Sequence, residues 1–446
     1  MAKTEYTHRF VARVILEAAT PMALHSGEKN INTDALLATD VNGLPYLPGS
    51  SIAGVLRHSL PKEMTRTLFG DKDTNGSEII FTDGKMVGAE GLPIDGLQPE
   101  LSGSFYEHFK ALPIRQHVHI GHNGTGVDKG KYDEQIVYKG CRFVFEVELV
   151  SDGKNQSQWE KVLSVMCSPS FRMGSGTRKG FGEMKVVSIV IREYNLGIKE
   201  DSRAYLGKSS RLDRPFSGKT VQYEKDSESY VHYRLTLHPE NFILFSSGLS
   251  DDGADMIPVK ENIIVWKNDL PKFEEQYLLP ATSLKGALAH RVAYHYNKKE
   301  HVYADCIDSS LDQMDPNKAV VTLFGYADDS KQEESNKRRG KVIFSDFMFQ
   351  KEKVNDKVIP HVAIDRFTGG ALSGALFQER VLFGPNLTIT EDIFVEKSAL
   401  EDENIKYALE QSLDDFCNGL LPLGGGVNRG NGTFVGKKEI IHSKND

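Results

Sequence analysis

Two stretches of the chain alternate apolar and polar residues in the same way and close on the same turn. Residues 6–28 (YTHRFVARVILEAATPMALHSGE) read as a half-buried strand ending in Ser26-Gly27. Residues 230–248 (YVHYRLTLHPENFILFSSG) repeat that pattern. Each is followed by a proline-led run with apolar residues at helical spacing. The first is Leu47-Pro48-Gly49-Ser50-Ser51-Ile52-Ala53-Gly54-Val55-Leu56-Arg57-His58. Its echo is Leu279-Pro280-Ala281-Thr282-Ser283-Leu284-Lys285-Gly286-Ala287-Leu288-Ala289-His290. The hydroxyl residue after each proline predicts a helix cap, and the small residue mid-run predicts a face for close approach.

The order continues through the rest of each half. Leu68-Phe69-Gly70 matches Leu323-Phe324-Gly325, and Ile79-Ile80-Phe81-Thr82-Asp83 matches Val342-Ile343-Phe344-Ser345-Asp346. His117-Val118-His119-Ile120 matches His361-Val362-Ala363-Ile364, each entering a Gly-rich hairpin. Last, 174–182 (GSGTRKGFG) matches 424–432 (GGGVNRGNG), and strand-like residues follow at 184–191 and 433–441. Six matched elements in one order predict a duplicated domain. The boundaries fall at 1–195 and 229–446, with polar residues 196–228 as linker. Interleaved strands and helices predict an α+β class, and a ferredoxin-like βαββαβ sheet is the simplest match. That sheet also carries the RNA recognition motif, whose aromatic stacking signature is missing here.

Composition adjusts this picture in a few places. A 446-residue chain exceeds what one core usually serves, in keeping with two domains. No apolar run reaches the roughly 20 residues of a membrane span, and residues 1–5 lack a signal-peptide core. Cys141, Cys167, Cys306 and Cys417 lie far apart, which suits reduced thiols and predicts a cytoplasmic protein. The net charge of -8 argues mildly against nucleic acid. Local basic clusters argue the other way: Arg172, Arg178 and Lys179, and Lys337, Arg338, Arg339 and Lys341. Residues 328–340 (DDSKQEESNKRRG) read as an insertion with no assignable function.

The glycine loops admit three readings. A dinucleotide fingerprint must open a helix, yet strand residues follow Gly182. A structural turn is the second reading. The third is a backbone cradle for RNA phosphates, with Arg178, Lys179 and Arg429 supplying charge and glycine letting the amides come close.

PYLPGSSIAGVLR, the LFG turn, IIFTD and GSGTRKGFG, in that order, resemble the RAMP superfamily (repeat-associated mysterious proteins). More narrowly they resemble the backbone subunit of type III CRISPR effector complexes, and the tandem arrangement resembles the double-backbone fusions of the type III-D branch. The resemblance implies two ferredoxin-like palms, each with a β-hairpin thumb at 117–140 and 361–384. It implies that guide RNA is gripped by Ser50, Ser51, Arg57, Gly174, Gly176, Arg178, Lys179 and Gly180 in the first half. In the second the counterparts are Thr282, Ser283, Lys285, Gly425, Gly426, Asn428 and Arg429. Base pairing rather than protein would read sequence. The implied partners are guide RNA, target RNA and the other backbone, large and small subunits of the complex.

In that family target cleavage depends on an aspartate in the loop between the first strand and the palm helix. Its distance to PYLPG selects Asp34, and counting seven residues from Gly27 and from Gly248 selects Asp34 and Asp255, with Asp252 competing for the second site. RNA brings its own nucleophile, the 2′-OH. An ordinary aspartate titrates near about 3.9 and is a weak base at neutral pH, which favours holding a divalent cation such as Mg²⁺ or orienting a nucleotide. His117, His119 and His122 also raise zinc, with Cys141 or Cys167 completing a set. Two rival functions stay open at this stage: a scaffold that holds guide RNA without cutting, and a nucleotide-dependent metabolic enzyme using the glycine loops.

Overall fold

The computed structural model describes residues 6–31, 33–71, 76–121, 126–224, 229–303, 317–326 and 337–442. His122, Cys306 and residues 328–336 of the expected insertion lie outside them. The chain forms two compact units. The first comprises Met1–Thr177, Phe181–Ser227 and Ile263–Glu274; the second comprises Arg178–Gly180, Glu228–Asn262 and Glu275–Asp446.

In the first unit the chain runs β1 (His8–Ala18), α1 (Gly49–Ser59), β2 (Ile79–Phe81), β3 (Ile114–Ile120), β4 (Gly126–Gln135), β5 (Arg142–Ser151), α2 (Gln156–Val165) and β6 (Met184–Asn195). The sheet order is β2-β5-β1-β6, with every pair antiparallel. The second unit repeats the plan with β7 (Tyr230–Pro239), α3 (Ala281–Lys299), β8 (Val342–Ile343), β9 (Asn355–Ile364), β10 (Ala371–Phe383), β11 (Ile389–Glu396), α4 (Glu403–Cys417) and β12 (Phe434–Ile441). Its order, β8-β11-β7-β12, is the same. Both are ferredoxin-like palms of α+β class. Alternation on β1 sends Phe10, Ala12, Val14 and Leu16 under the helices, against Ile52, Leu56, Trp159 and Leu163. In the second palm Tyr233, Leu235 and Leu237 do the same against Leu284, Leu288, Leu409 and Leu413. A hairpin leaves each palm between its second and third sheet strands: β3–β4 and β9–β10. These are the thumbs, and Val118, Ile120, Val362, Ile364 and Leu376 stay exposed on them.

Two local expectations are corrected. No hydroxyl side chain caps either palm helix; Pro48 and Pro280 occupy the cap positions and make no side-chain bond. The cap comes from far along the chain: Asp83 Oδ1 accepts from the Gly49 N–H at 2.9 Å, and Asp346 Oδ1 from the Ala281 N–H at 2.9 Å. This explains the repeated F-T/S-D triplet, because an orphan helix amide needs an acceptor and a carboxylate supplies one. The repeated LFG is a helix stop, with Gly70 at φ 71° and Gly325 at φ 89° closing short helices. The second correction concerns 196–228. It holds a helix (Lys199–Leu206) and a strand (Lys219–Val221) that extends the first sheet beyond β6. From there Leu212 is buried, the Arg13 guanidinium donates to the Leu212 carbonyl, and Lys208 pairs with Glu146 at 2.6 Å. This segment covers part of the first sheet rather than serving as a bare linker.

Candidate nucleic-acid interface

Each aspartate selected by spacing is pinned to a thumb by the same pair of hydrogen bonds. In the first unit the Asp34 N–H donates to the Asp133 carbonyl at 3.1 Å, and the Asp133 N–H donates to Asp34 Oδ2 at 3.0 Å. The next residues, Ala35 and Glu134, form a parallel bridge. In the second unit the Asp255 N–H donates to the Gln378 carbonyl at 2.9 Å, and the Gln378 N–H donates to Asp255 Oδ2 at 2.7 Å. Met256 then bridges Glu379, again in parallel. Three residues past each aspartate the loops match once more: Leu37 bridges His25, and Pro258 bridges Ser246. Asp34 and Asp255 are exposed and occupy equivalent places. Asp252 does not share that place. It is exposed in a turn closed by Asp251, whose carboxylate accepts from the Gly253 and Ala254 amides and pairs with Arg380 at 3.0 Å. Those amides and Arg380 hold Asp251 below the usual carboxylate range.

Beside each pinned aspartate a buried glutamate lies under the thumb. Glu134 is 5 % exposed and Glu379 1 %. His117 Nε2 comes within 2.9 Å of Glu134 and His25 Nε2 within 3.3 Å, both off the hydrogen-bond direction. His361 Nε2 makes a directed bond to Glu379 at 3.0 Å, and the Arg429 guanidinium completes the pairing. The histidine facing each glutamate is stacked on an aromatic ring of the opposite strand. His117 lies on Tyr132 at 4.6 Å, and His361 on Phe377 at 4.8 Å. Sequence reading paired the two histidines but missed both glutamates, His25 and the two rings. The visible signal was the matched Tyr132-Asp133-Glu134 and Phe377-Gln378-Glu379, aromatic–polar–acid within one residue of the same distance from each histidine.

On the palm helices Ser50, Gly54 and Arg57 fall at positions i, i+4 and i+7 and are all exposed. A side chain added at Gly54 would meet nothing within 4 Å, and the same holds at Gly286. Among the described residues, none makes the close approach expected at these small residues. A model of the RAMP superfamily matches residues 15–185 and again residues 269–435. The chain belongs to the RAMP superfamily. No curated protein matches it. As a RAMP protein it is a CRISPR-associated RNA-binding subunit, and the two matched regions fit a tandem RAMP pair.

The remaining residues expected to touch RNA divide by what they already hold. Gly174, Gly176, Gly180 and Gly182 have positive φ, as do Gly424, Gly426, Gly430 and Gly432. The outer glycines of each RAMP loop are needed by the palm. A Cβ at Gly182 would lie 2.0 Å from the Met173 carbonyl oxygen, and one at Gly432 1.9 Å from that of Leu423. The amides of Ser175 and Gly425 donate to the Ala23 and Leu244 carbonyls, so the Gly425 amide is committed within the palm. Both loops run into strands, β6 and β12, and neither opens an α-helix; the second makes one 3-10 turn, Val427–Arg429. Arg178 donates to the Gly340 carbonyl and pairs with Glu396 at 3.3 Å, and Arg57 donates to the Gly70 carbonyl. Thr282 and Ser283 are half-buried on the first turn of α3, and Asn428 is exposed. Lys285, one turn in, is half-buried, and burial, with Lys179 and Arg178 nearby, lowers its pKa from 10.5 to about 8.

For metals, no group of three or more His, Cys, Asp or Glu side chains among the described residues is placed to hold an ion. His117 faces Glu134, and Cys141 is buried with its thiol pushed up by that burial and by Glu17. His122, the third histidine of the zinc reading, lies outside the described residues. Magnesium asks less, often taking one or two carboxylates and filling its shell from phosphate and water. Asp34 sits beside Asp133, whose Oδ1 is buried without a hydrogen-bond partner, whereas Asp255 sits beside the amide Gln378. The thumb residue beside the aspartate is thus a carboxylate in the first unit and an amide in the second.

Proposed function

We propose that this RAMP protein is a type III effector backbone subunit that holds a guide RNA along its palms and cuts the paired target at two sites. Asp34 and Asp255 are the cleaving residues of that reading. It rests above all on the matched placement of these exposed aspartates at the root of a thumb. The sugar-phosphate backbone would lie along the open face of α1 and α3, where Gly54 and Gly286 leave room for it, with Lys285 and Lys179 supplying charge in the second palm. Each thumb then bends the duplex beside its aspartate. Bending brings a target 2′-OH in line with the adjacent phosphorus, and the aspartate orients the reacting nucleotide. A divalent cation, where bound, would use the free oxygen of Asp34, with Asp133, or of Asp255, and would steady charge on the phosphate.

The test uses the full chain reconstituted with guide RNA and an end-labelled complementary target. Asp34→Ala is expected to remove one cut and Asp255→Ala the other, with guide retention unchanged. If both variants cut at every position, the assignment is wrong and a scaffold that only holds RNA takes its place.

A further inference from the structure

We propose that Glu134 and Glu379 are positioning residues, buried latches that fix the thumb strand on which each cleaving aspartate is hung. This deepens the reading above and rests on it. Asp34 and Asp255 are each tied, by both an N–H and a carboxylate oxygen, to the residue just before the glutamate. Any rotation or slide of that strand is therefore passed directly to the aspartate. Neighbouring residues on a strand point to opposite faces, so the glutamate turns inward while its neighbour's backbone carries the aspartate.

A thumb rooted only by its hairpin ladder would be free to swing. The buried carboxylate opposes this because it is costly to leave uncompensated away from water. It keeps its basic partners only in one arrangement of thumb, aspartate loop and glycine loop. In the first unit these include His117, from the opposite strand, and His25, from the aspartate loop itself. In the second they are His361, from the opposite strand, and Arg429, from the glycine loop. The repeat thus kept a buried acid at one backbone position, with His25 of the aspartate loop facing it in the first unit and Arg429 of the glycine loop in the second. A side chain that merely filled space would not meet a basic group in both units.

The experiment measures single-turnover cleavage at saturating target, together with target affinity, in the same reconstituted complex. The first cut is defined as the one lost in Asp34→Ala, the second as the one lost in Asp255→Ala. Glu134→Gln is expected to slow the first cut by about 100-fold, the scale set by roughly 1 Å misplacement of a reacting group. The second cut and the target affinity should stay within about twofold. Glu379→Gln is expected to give the reverse pattern. Arg429→Lys, which keeps the charge, should preserve most of the second cut, and Arg429→Gln should not. Should a glutamate variant fail to fold, His25→Gln and Arg429→Gln decide, since each removes one partner and leaves the acid in place. Unchanged rates in those two overturn the proposal. So does equal loss of both cuts from a change at one thumb. If Asp34→Ala and Asp255→Ala remove no cut, the cleavage reading fails. If they do and the latch variants cut normally, only the latch fails.

Discussion

At the root of the first thumb Glu134 faces two imidazoles, neither in good hydrogen-bond alignment. At the root of the second, Glu379 faces one aligned imidazole and a guanidinium. The glycine loops change roles to match. In the first unit Phe181 turns its ring to the thumb, with the Arg115 guanidinium 4.7 Å from its centroid and His117 edge-on at 5.9 Å. In the second the matching residue is Asn431, and Arg429 two places earlier reaches the thumb. Duplication preserved a backbone register and the need to neutralise a buried acid, and left open which loop answers it. Two sites can look unrelated by side chain and still hold an aspartate by identical hydrogen bonds.

The largest effect expected on this comparison is at the glycines that seat both loops. Gly182→Ala and Gly432→Ala each put a Cβ about 2 Å from a backbone oxygen at a positive φ, a clash no rotamer relieves. Strain and forced backbone movement together should cost about 3 kcal/mol or more. Gly430→Ala is the control: φ is 93°, yet nothing lies within 4 Å, and a loss of about 1 kcal/mol is expected. Urea unfolding of the three variants checks the ranking. Equal losses would mean that the loops are not seated by these close approaches.

Much of this architecture was legible in the sequence because duplication supplies an internal control. The β-α-β order, the hairpins and the Asp34–Asp255 pairing all follow from aligning one half on the other. What stayed hidden was long-range. Asp83 and Asp346 cap helices 34 and 65 residues away, and nothing local marks a strand-end aspartate as a cap. Reading Ser50 and Thr282 as caps applied a sound local rule where a distant carboxylate had taken the position. Glu134 was invisible for a similar reason, since its partner His25 lies more than a hundred residues earlier in the chain.

Those distant caps give the next prediction. Asp346 is 5 % exposed and Asp83 is open to solvent, so one motif serves two dielectric settings. Asp346→Ala strands a buried helix amide and should cost about 2 kcal/mol; Asp83→Ala, where water can replace the acceptor, about 0.5 kcal/mol. Thermal melts followed at both units' transitions would register the difference.

The palm helices differ at one further matched position, where Ala53 in the first is Lys285 in the second. With a folded pKa near 8 against an ordinary 10.5, Lys285 binds its proton less readily folded than unfolded. Between those values the unfolded chain holds the extra proton, so stability rises as pH rises through the window. Below pH 8 the lysine is charged in both states and its cost to folding is present in full. Lys285→Met should therefore stabilise the free protein at pH 7 and flatten that rise. The same change should weaken RNA binding and reduce its salt dependence by about one charge. Weaker folding at pH 7, or an unaltered salt slope, would remove Lys285 from the proposed interface.

A stabilising change discriminates best between a RAMP palm made for RNA and one made only to fold. Gly54 and Gly286 sit inside helices, where glycine costs about 1 kcal/mol relative to alanine. Among the described residues neither has a neighbour within 4 Å that a methyl group would strike, and neither has a positive φ. Folding alone gives no reason to keep them. Gly54→Ala and Gly286→Ala should each raise the free energy of unfolding by up to about 1 kcal/mol. If an RNA backbone lies against this face, the same methyl groups intrude on it, and guide affinity should fall as stability rises. Opposite signs in the two measurements are what the interface requires. Gains in stability with no loss of guide binding would move the RNA off α1 and α3.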